Sequence, residues 1–403
     1  SRSDRDRQFL LDDYIDRHGD SSVHSARRRV KETQQVEQDF RATIPTTLVM
    51  QELPQPRATY VLIRGQYDQR GEVVQPDAPA ALPAMPEDAP RNRLGFARWL
   101  VSDENPLTAR VVVNRLWMQC FGEGLVRTMN DFGTRGESPT HPELLDWLAV
   151  TFRDSGWDVK ALLRLIVTSR TYRQESSFQG DPTLDPGNRL LARGPSFRMS
   201  AEMIRDQALA VSGLLRRQIG GPSVKPYQPP GLWEEVSYNA AETYVVDTGD
   251  GLWRRSLYTY IKRQAPPPTL LAFDGTTREK CTIQRARTNT PLQSLILLND
   301  PTFVEAARAL AARVLETGSK ETARLRQLFR RVLSRLPDDD EVRFLHGLLQ
   351  RQRTRFAATP DKAGDLLAVG ESQTDNRFDP SELAAWTVVA QTVLNLDEVI
   401  NQR

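Results

Sequence analysis

The sequence predicts a mainly α, multi-helix globular domain with a small β element and long ordered loops. Helix-start signatures recur along most of the chain: Asn105-Pro106, Asp158, Ser200, Asp300-Pro301, Asp338 with Glu341, and Asp379-Pro380 with Glu382. Each precedes apolar residues at helical spacing. Two stretches, Ala58–Arg64 and Arg255–Lys262, carry strand patterning. The 403 residues are 39% hydrophobic and 26% charged, the balance of a soluble globular chain with two or three packed subdomains.

In chain order, residues 1–43 read as a charged helical arm, with Phe9, Leu10 and Tyr14 as its short apolar stripe. Residues 44–90 read as an extended segment, the strand at 58–64, and a proline-rich, semi-rigid linker over 75–91 that marks a domain boundary. Residues 91–403 form the mainly helical domain. Phe96, Trp99 and Leu100 share one apolar face, and a helix is expected over Leu107–Cys120. On that helix Val111, Leu116 and Trp117 face the core, while Arg110, Asn114 and Arg115 form a polar edge. A glycine-rich loop, 131–141, leads to a helix from Pro142, and Asp158 and Ser200 cap two more, with turn-rich chain over 172–195. Residues 220–233 make a long loop rich in proline and aromatics. The second strand would bury Leu257, Thr259 and Ile261; residues 354–378 read as a charged surface excursion.

The chain is organised around Asp274–Asp300. Its first half gathers Arg278, Lys280, Arg285, Arg287 and one thiol, Cys281; its second half turns apolar at Leu292, Leu295, Ile296, Leu297 and Leu298. Thr290-Pro291 marks the switch, predicting a buried helix whose positive N-terminal end faces the arginines and favours anions.

Composition excludes several classes. A formal charge of +2 gives no global footprint for nucleic acid. No apolar run approaches the roughly 20 residues of a membrane span. Cys120 and Cys281 exclude a disulfide-rich scaffold and a Cys-x-x-Cys metal knuckle, and leave open one bridge between them. With no Cys-x-x-Cys-His there is no c-type haem attachment in this chain, and His18, His24, His141 and His346 stand at spacings that argue against a zinc site. The opening Ser-Arg-Ser-Asp lacks an initiator Met and a signal peptide, as expected of a mature or excised piece.

Several strings carry a family resemblance: Asn105–Trp117, Asp131-Phe-Gly, Pro139–Leu148, Leu165–Gln174, Arg254–Tyr258 and Arg287–Gln293. Together they resemble the planctomycete extracellular family catalogued as Domain of Unknown Function 1553, from about Ile44 to the C-terminus. The resemblance implies an extracytoplasmic domain at the C-terminal end of large exported proteins. It implies an upstream partner domain, often a cytochrome c segment, sulfatase-like neighbours and a link to breakdown of sulfated polysaccharide. It supplies no catalytic residues and places any haem in a preceding domain, with residues 1–43 as the tail of that region.

Two function classes follow. The first is a binding or assembly module of an exported multidomain protein linked to polysaccharide or to a cytochrome c partner. The second is a hydrolase or lyase acting on an anionic, sulfated glycan through an arginine-lined pocket. The catalytic candidates are Asp131 with His141 for general base chemistry, Asp274, and Cys281 as a thiol among cations. The substrate-binding candidates are Arg110, Asn114, Arg115, Arg254, Arg285, Arg287 and Asn289, with Tyr227 and Trp233, joined by Tyr238, as a stacking platform. Each has a plainer reading: arginines paired to carboxylates such as Glu202 or Asp206, an inert thiol, a histidine at a helix start, a stiff loop over the core. An enzyme calls for a deep pocket where titratable groups converge with the arginines. A module calls for arginines consumed in salt bridges beside an open apolar or aromatic face.

Overall fold

The computed structural model describes residues 4–177, 183–318 and 320–402. It divides into two compact units, Ser1–Trp99 and Leu100–Arg403. The chain is 51% helical, against about a third in an average globular domain, so the mainly α expectation holds. No described helix is long and apolar enough to cross a membrane.

In the first unit two charged helices, α1 (Asp4–His18) and α2 (Ser21–Thr43), are joined at Asp20, whose carboxylate accepts from the amides of Ser22 and Val23. Phe9, Leu10 and Tyr14 remain exposed, so the arm is solvated on its apolar side too. The expected strand is present as β1 (Thr59–Leu62), paired antiparallel with β2 (Arg70–Val74), which the sequence reading missed. The proline-rich segment is not an open linker. Met85 and Ala89 are buried, Pro83 O accepts from Trp99 Nε1 (2.7 Å), and Trp99 lies on α3 (Arg93–Leu100). A Cβ on Gly95 of α3 would fall 1.8 Å from Pro90 O, so this close approach requires glycine.

The second unit begins with three helices, α4 (Thr108–Phe121), α5 (Pro142–Asp154) and α6 (Val159–Thr168), packed around Val113, Trp117, Leu148, Phe152 and Ile166. Asn105 Oδ1 accepts from the amides of Leu107 and Thr108 (3.0 and 3.2 Å), closing the turn just before the helix, whose N-cap is Leu107. The helix thus starts one residue later than expected, with Asn105 and Pro106 ahead of it and not as its cap and first residue. A two-residue strand, β3 (Phe197–Arg198), leads into α7 (Ala201–Ser212), capped by Ser200 Oγ on Met203 N. Two short helices, α8 (Leu232–Val236) and α9 (Pro268–Ala272), precede α10 (Pro291–Asn299) and α11 (Pro301–Leu315). The rest is α12 (Glu321–Leu333), α13 (Asp339–Ala358), α14 (Pro360–Leu367), α15 (Pro380–Leu394), α16 (Asp397–Ile400) and β4 (Asn401–Gln402). Helix α15 is apolar nearly all round, the pattern of a central helix, and carries the fully buried Trp386. Ala306, Ala307 and Ala311 on α11 face its neighbours without bulk, so α11 packs closely on both α15 and α7. β4 pairs antiparallel with β3, tying the C-terminal residues to the start of α7.

Four expectations need correction. Arg255–Lys262 is not a strand: it forms a 3₁₀ turn, Ser256–Tyr258, and then single bridges, with Ser256 buried and Leu257 exposed. Residues 354–378 are no surface excursion, since α13 runs to Ala358 and α14 buries Ala363 and Leu367. Helix α10 is only half buried: Leu297 is 3% exposed, Leu292 and Leu295 each 56%. Asp379 caps α15 through Glu382 N (2.9 Å), but the Glu382 carboxylate completes no box. It turns instead to Arg353 (2.6 Å) and Trp386 Nε1 (2.9 Å). By contrast Asp338 and Glu341 form the full capping box expected of them. Of the turn-rich stretch 172–195, residues 178–182 lie outside the described residues.

Candidate functional site

A broad cleft of about 1730 Å³ opens in the second unit. Its walls come from the first turns of α7, the end of α9, the segment 278–287, the turn at 255–257 and the end of α4. Three local features set this shape. Ser200 starts α7 and so aims Glu202, Met203 and Asp206 outward, while Ile204 and Ala208 go to the core. Ser256 is held by Asp206 Oδ1 through both its amide and its hydroxyl (2.7 Å each), which turns Leu257 into the cleft. Asp274 takes a left-handed conformation (φ 60°), reversing the chain after α9.

Arg285 and Arg287 both line this cleft, as does Asp274. Arg285 is neutralised by a carboxylate, whereas among the described residues Arg287 has none within salt-bridge distance. Arg285 Nη1 donates to both Glu202 oxygens (2.9 and 2.7 Å). Burial, the largest single cause, pushes Glu202 up, but the hydrogen bond and charge of Arg285 together with bonds from Ser200 and its own amide outweigh it and hold the carboxyl below the ordinary glutamate range. Arg198, which the sequence reading missed, bonds Asp274 and has its own pKa lowered by burial, with Asp274 opposing that shift. Asp274 also accepts from Thr288 N (2.8 Å) and Thr288 Oγ1 (3.0 Å). Arg287 donates to Gly122 O (2.6 Å) and lies 4.5 Å over the Phe197 ring. Five arginines (198, 255, 278, 285, 287) and five carboxylates (123, 202, 206, 274, 398) line the cleft, so its wall is formally neutral. The shared hollow exists, but it is not electropositive.

The remaining candidates lie elsewhere. Cys281 is an exposed free thiol and Cys120 a buried one, so the two are not bridged. Asp131 Oδ1 accepts from Gly133 N (2.9 Å), shaping the loop. His141 Nδ1 sits 3.0 Å from Thr140 Oγ1 and its carbonyl accepts from Leu145 N, the behaviour of a residue at a helix start. Arg110 pairs with Asp146 (2.6 Å) and Arg115 is exposed. Asn114, expected on the polar edge, is fully buried and braces the next loop through Val126 N and O (2.9 Å each). Arg254 donates to Pro222 O (2.9 Å), Gln218 O (3.3 Å) and Gly220 O, with its guanidinium 3.8 Å over Tyr258. It therefore closes the 218–222 loop. Arg205, fully buried, likewise spends its donors on Leu252 O (2.6 Å) and Arg254 O (2.9 Å). Asn289 is exposed and is not on the cleft wall.

No stacking platform forms. Trp233 is buried between Tyr244 and Tyr260, with Lys225 and Lys262 over its ring, and Tyr238 stands apart in solvent. The Tyr227 hydroxyl accepts from Glu371 N (2.7 Å), and burial beside Glu305 drives its pKa far up. The start of α10 is served by its own residues, Thr290 N donating to Gln293 Oε1 (3.5 Å). Neither residue lines the cleft.

Met203, Leu257 and Ile283 are cleft residues the sequence reading did not select. The available signal was an apolar side chain off the buried stripe: Met203 precedes the buried Ile204 by one helical step, about 100° around the axis. Among the described residues no group of three His, Cys, Asp or Glu side chains is placed to hold a metal ion.

The conserved-domain model for PSD1, described as a protein of unknown function (DUF1553), matches residues 92–349. The chain belongs to this family. The match lies almost wholly in the second unit of this PSD1 chain and includes the cleft residues from α4 to Ser334. No curated protein and no solved structure matches it.

Proposed function

We propose that the PSD1 domain is a binding and assembly module, and that its cleft docks an adjoining domain of the same exported polypeptide. One observation carries the reading. In a wall whose charges cancel, three apolar side chains stay open: Met203 (48% exposed), Leu257 (72%) and Ile283 (41%). Arg285 and Arg198, tied to Glu202 and Asp274, act as struts, Arg287 is held by the Gly122 carbonyl, and the apolar residues are left for a partner. Interfaces of this kind have an apolar centre and a polar rim of paired charges. The glycan hydrolase or lyase reading fares less well, because Asp131 and His141 do not line the cleft and Asp274 is already bonded to Arg198 and Thr288.

On this reading the setting is extracytoplasmic. A c-type cytochrome segment or a sulfatase-like protein belongs to the wider assembly, and any haem belongs to the partner. The test is co-elution of the chain with the separately expressed adjoining domain. A Met203→Glu, Leu257→Glu double variant should abolish co-elution while keeping the wild-type melting temperature. Undiminished co-elution, or retention instead on a sulfated polysaccharide that the same double variant leaves intact, would refute assembly through this face.

A further inference from the structure

Beside the cleft lies a second, smaller cavity of about 310 Å³, and its electrostatics are the opposite of its neighbour's. The end of α4, the loop after it and the segment 186–197 enclose it, and Arg287 forms its border with the cleft. Four arginines line it (127, 189, 193 and 287) against one carboxylate, Glu123. That carboxylate is already paired with Arg127 (3.1 Å). Among the described residues Arg189 forms a salt bridge with Glu137, at 3.4 Å between two exposed side chains, a pairing of little strength. Asp185, under the same turn, spends its oxygens on the amides of Arg189 and Leu190 (2.8 Å each). Arg193 is held within the turn, its Nη2 donating to Pro186 O (2.8 Å) and its charge acting on Asp185, so it is not an open cation.

Arg287 is the deciding residue. Among the described residues no carboxylate comes within salt-bridge distance of it, and its hydrogen bond goes to the Gly122 carbonyl. Burial and the neighbouring Arg198 press its pKa down, and Glu123 opposes them only in part. The floor is aromatic: Trp117 stacks on Phe121 at 4.1 Å, and Phe197 lies under the Arg287 guanidinium. The volume stands at the small end of the range for ligand pockets, roughly 300–1,000 Å³. It suits one ring bearing one charged group.

We propose that this cavity binds a small ring compound carrying a tetrahedral oxyanion, a phosphate or sulfate monoester, with Arg287 as the central anion ligand and Arg189 beside it. Guanidinium groups bind such oxyanions through paired, charge-assisted hydrogen bonds. The Phe197, Trp117 and Phe121 side gives the ring an apolar surface. This site does not depend on what docks in the larger cleft.

Calorimetric titration of the whole chain with phenyl phosphate and phenyl sulfate tests it, with phenol as the uncharged probe. Phenyl phosphate, phenyl sulfate or both should bind, phenol should not, and Arg287→Ala should weaken binding at least tenfold. If both esters bind, the phosphate arm against the sulfate arm ranks the two sources. Should Arg287→Ala fold poorly, Arg189→Ala, exposed and outside the core, should still weaken binding several-fold. Arg278→Ala, on the cleft wall only, should leave it unchanged. Wild-type affinity in both Arg287→Ala and Arg189→Ala, equal binding of phenol, or no binding of either ester would overturn the assignment.

Discussion

If the cleft arginines are struts, then removing a countercharge must cost stability, and Asp274→Ala is the sharpest case. Asp274 is the carboxylate partner of Arg198, and the two side chains are only 17% and 6% exposed. Deleting one member of a buried ion pair costs about 3–5 kcal/mol, because the other charge stays behind in low dielectric. Asp274 also stands at φ 60°, where alanine is worse than Asp or Asn by about 1–2 kcal/mol. The sum, about 4–7 kcal/mol, is a large share of the roughly 5–15 kcal/mol that holds a typical fold. Asp274→Asn keeps the backbone preference and an acceptor for Thr288 but still leaves the Arg198 charge unpaired, so it should lose about 3–5 kcal/mol, less than Asp274→Ala. Removing both charges, as Arg198→Met with Asp274→Asn, leaves no orphaned ion and should recover part of the Asp274→Ala loss. Urea unfolding followed by circular dichroism reads all three as shifts in midpoint at unchanged slope. An Asp274→Ala protein with the wild-type midpoint but no partner or ligand binding would show that this carboxylate serves a site and not the fold.

Other outcomes follow from the same structure. Glu305 is fully buried and accepts from Trp253 Nε1 (3.1 Å) and Ser372 N (2.5 Å), so Glu305→Ala should lose at least about 3 kcal/mol and shift Trp emission to longer wavelength. On α10, Leu297→Ala should cost about 2–5 kcal/mol while Leu292→Gln and Leu295→Gln stay within about 0.5 kcal/mol; equal losses at all three would restore the buried helix. Gly122 ends α4 at φ 85°, and a Cβ there would meet the Phe197 ring at 2.7 Å, so Gly122→Ala should destabilise by about 2–4 kcal/mol and displace Arg287. Glu202 and Glu382 both sit below the ordinary range: burial pushes each up most, but the bonds and charges of Arg285 and Arg353, with further hydrogen bonds, together outweigh it. A depressed folded pKa contributes stability above the unfolded value, about 4.3, and that contribution is lost as pH falls through the folded value. Unfolding free energy should therefore drop below about pH 4.3. Glu202→Gln should flatten part of the drop; an unaltered acid limb would show that the pair with Arg285 adds nothing.

What the sequence made legible was local. Asp158, Ser200, Asp338 and Asp379 each cap a helix because the signal and its partner lie within three residues. The pairing of Arg285 with Glu202 was foreseen as an alternative, since a cluster of arginines needs acids nearby. Long-range choices were not readable. Strand β3 pairs with residues about 200 positions away over two residues only, too short to leave a pattern. Ser256–Tyr258 has strand-like residues, yet its capture by Asp206 and Arg205 sets the register, burying Ser256 and exposing Leu257. The leucines of α10 read as core because sequence gives apolarity but not which face finds a neighbour. Asn114 read as surface for the converse reason: its amide is matched to Val126, a partner twelve residues on.

The most direct measurement is calorimetric titration of the adjoining domain into this chain, repeated at several temperatures and salt concentrations. Docking on Met203, Leu257 and Ile283 predicts a clearly negative heat-capacity change with affinity nearly flat in salt. An affinity that collapses with added salt while the heat capacity barely changes, or no binding at all, would contradict it.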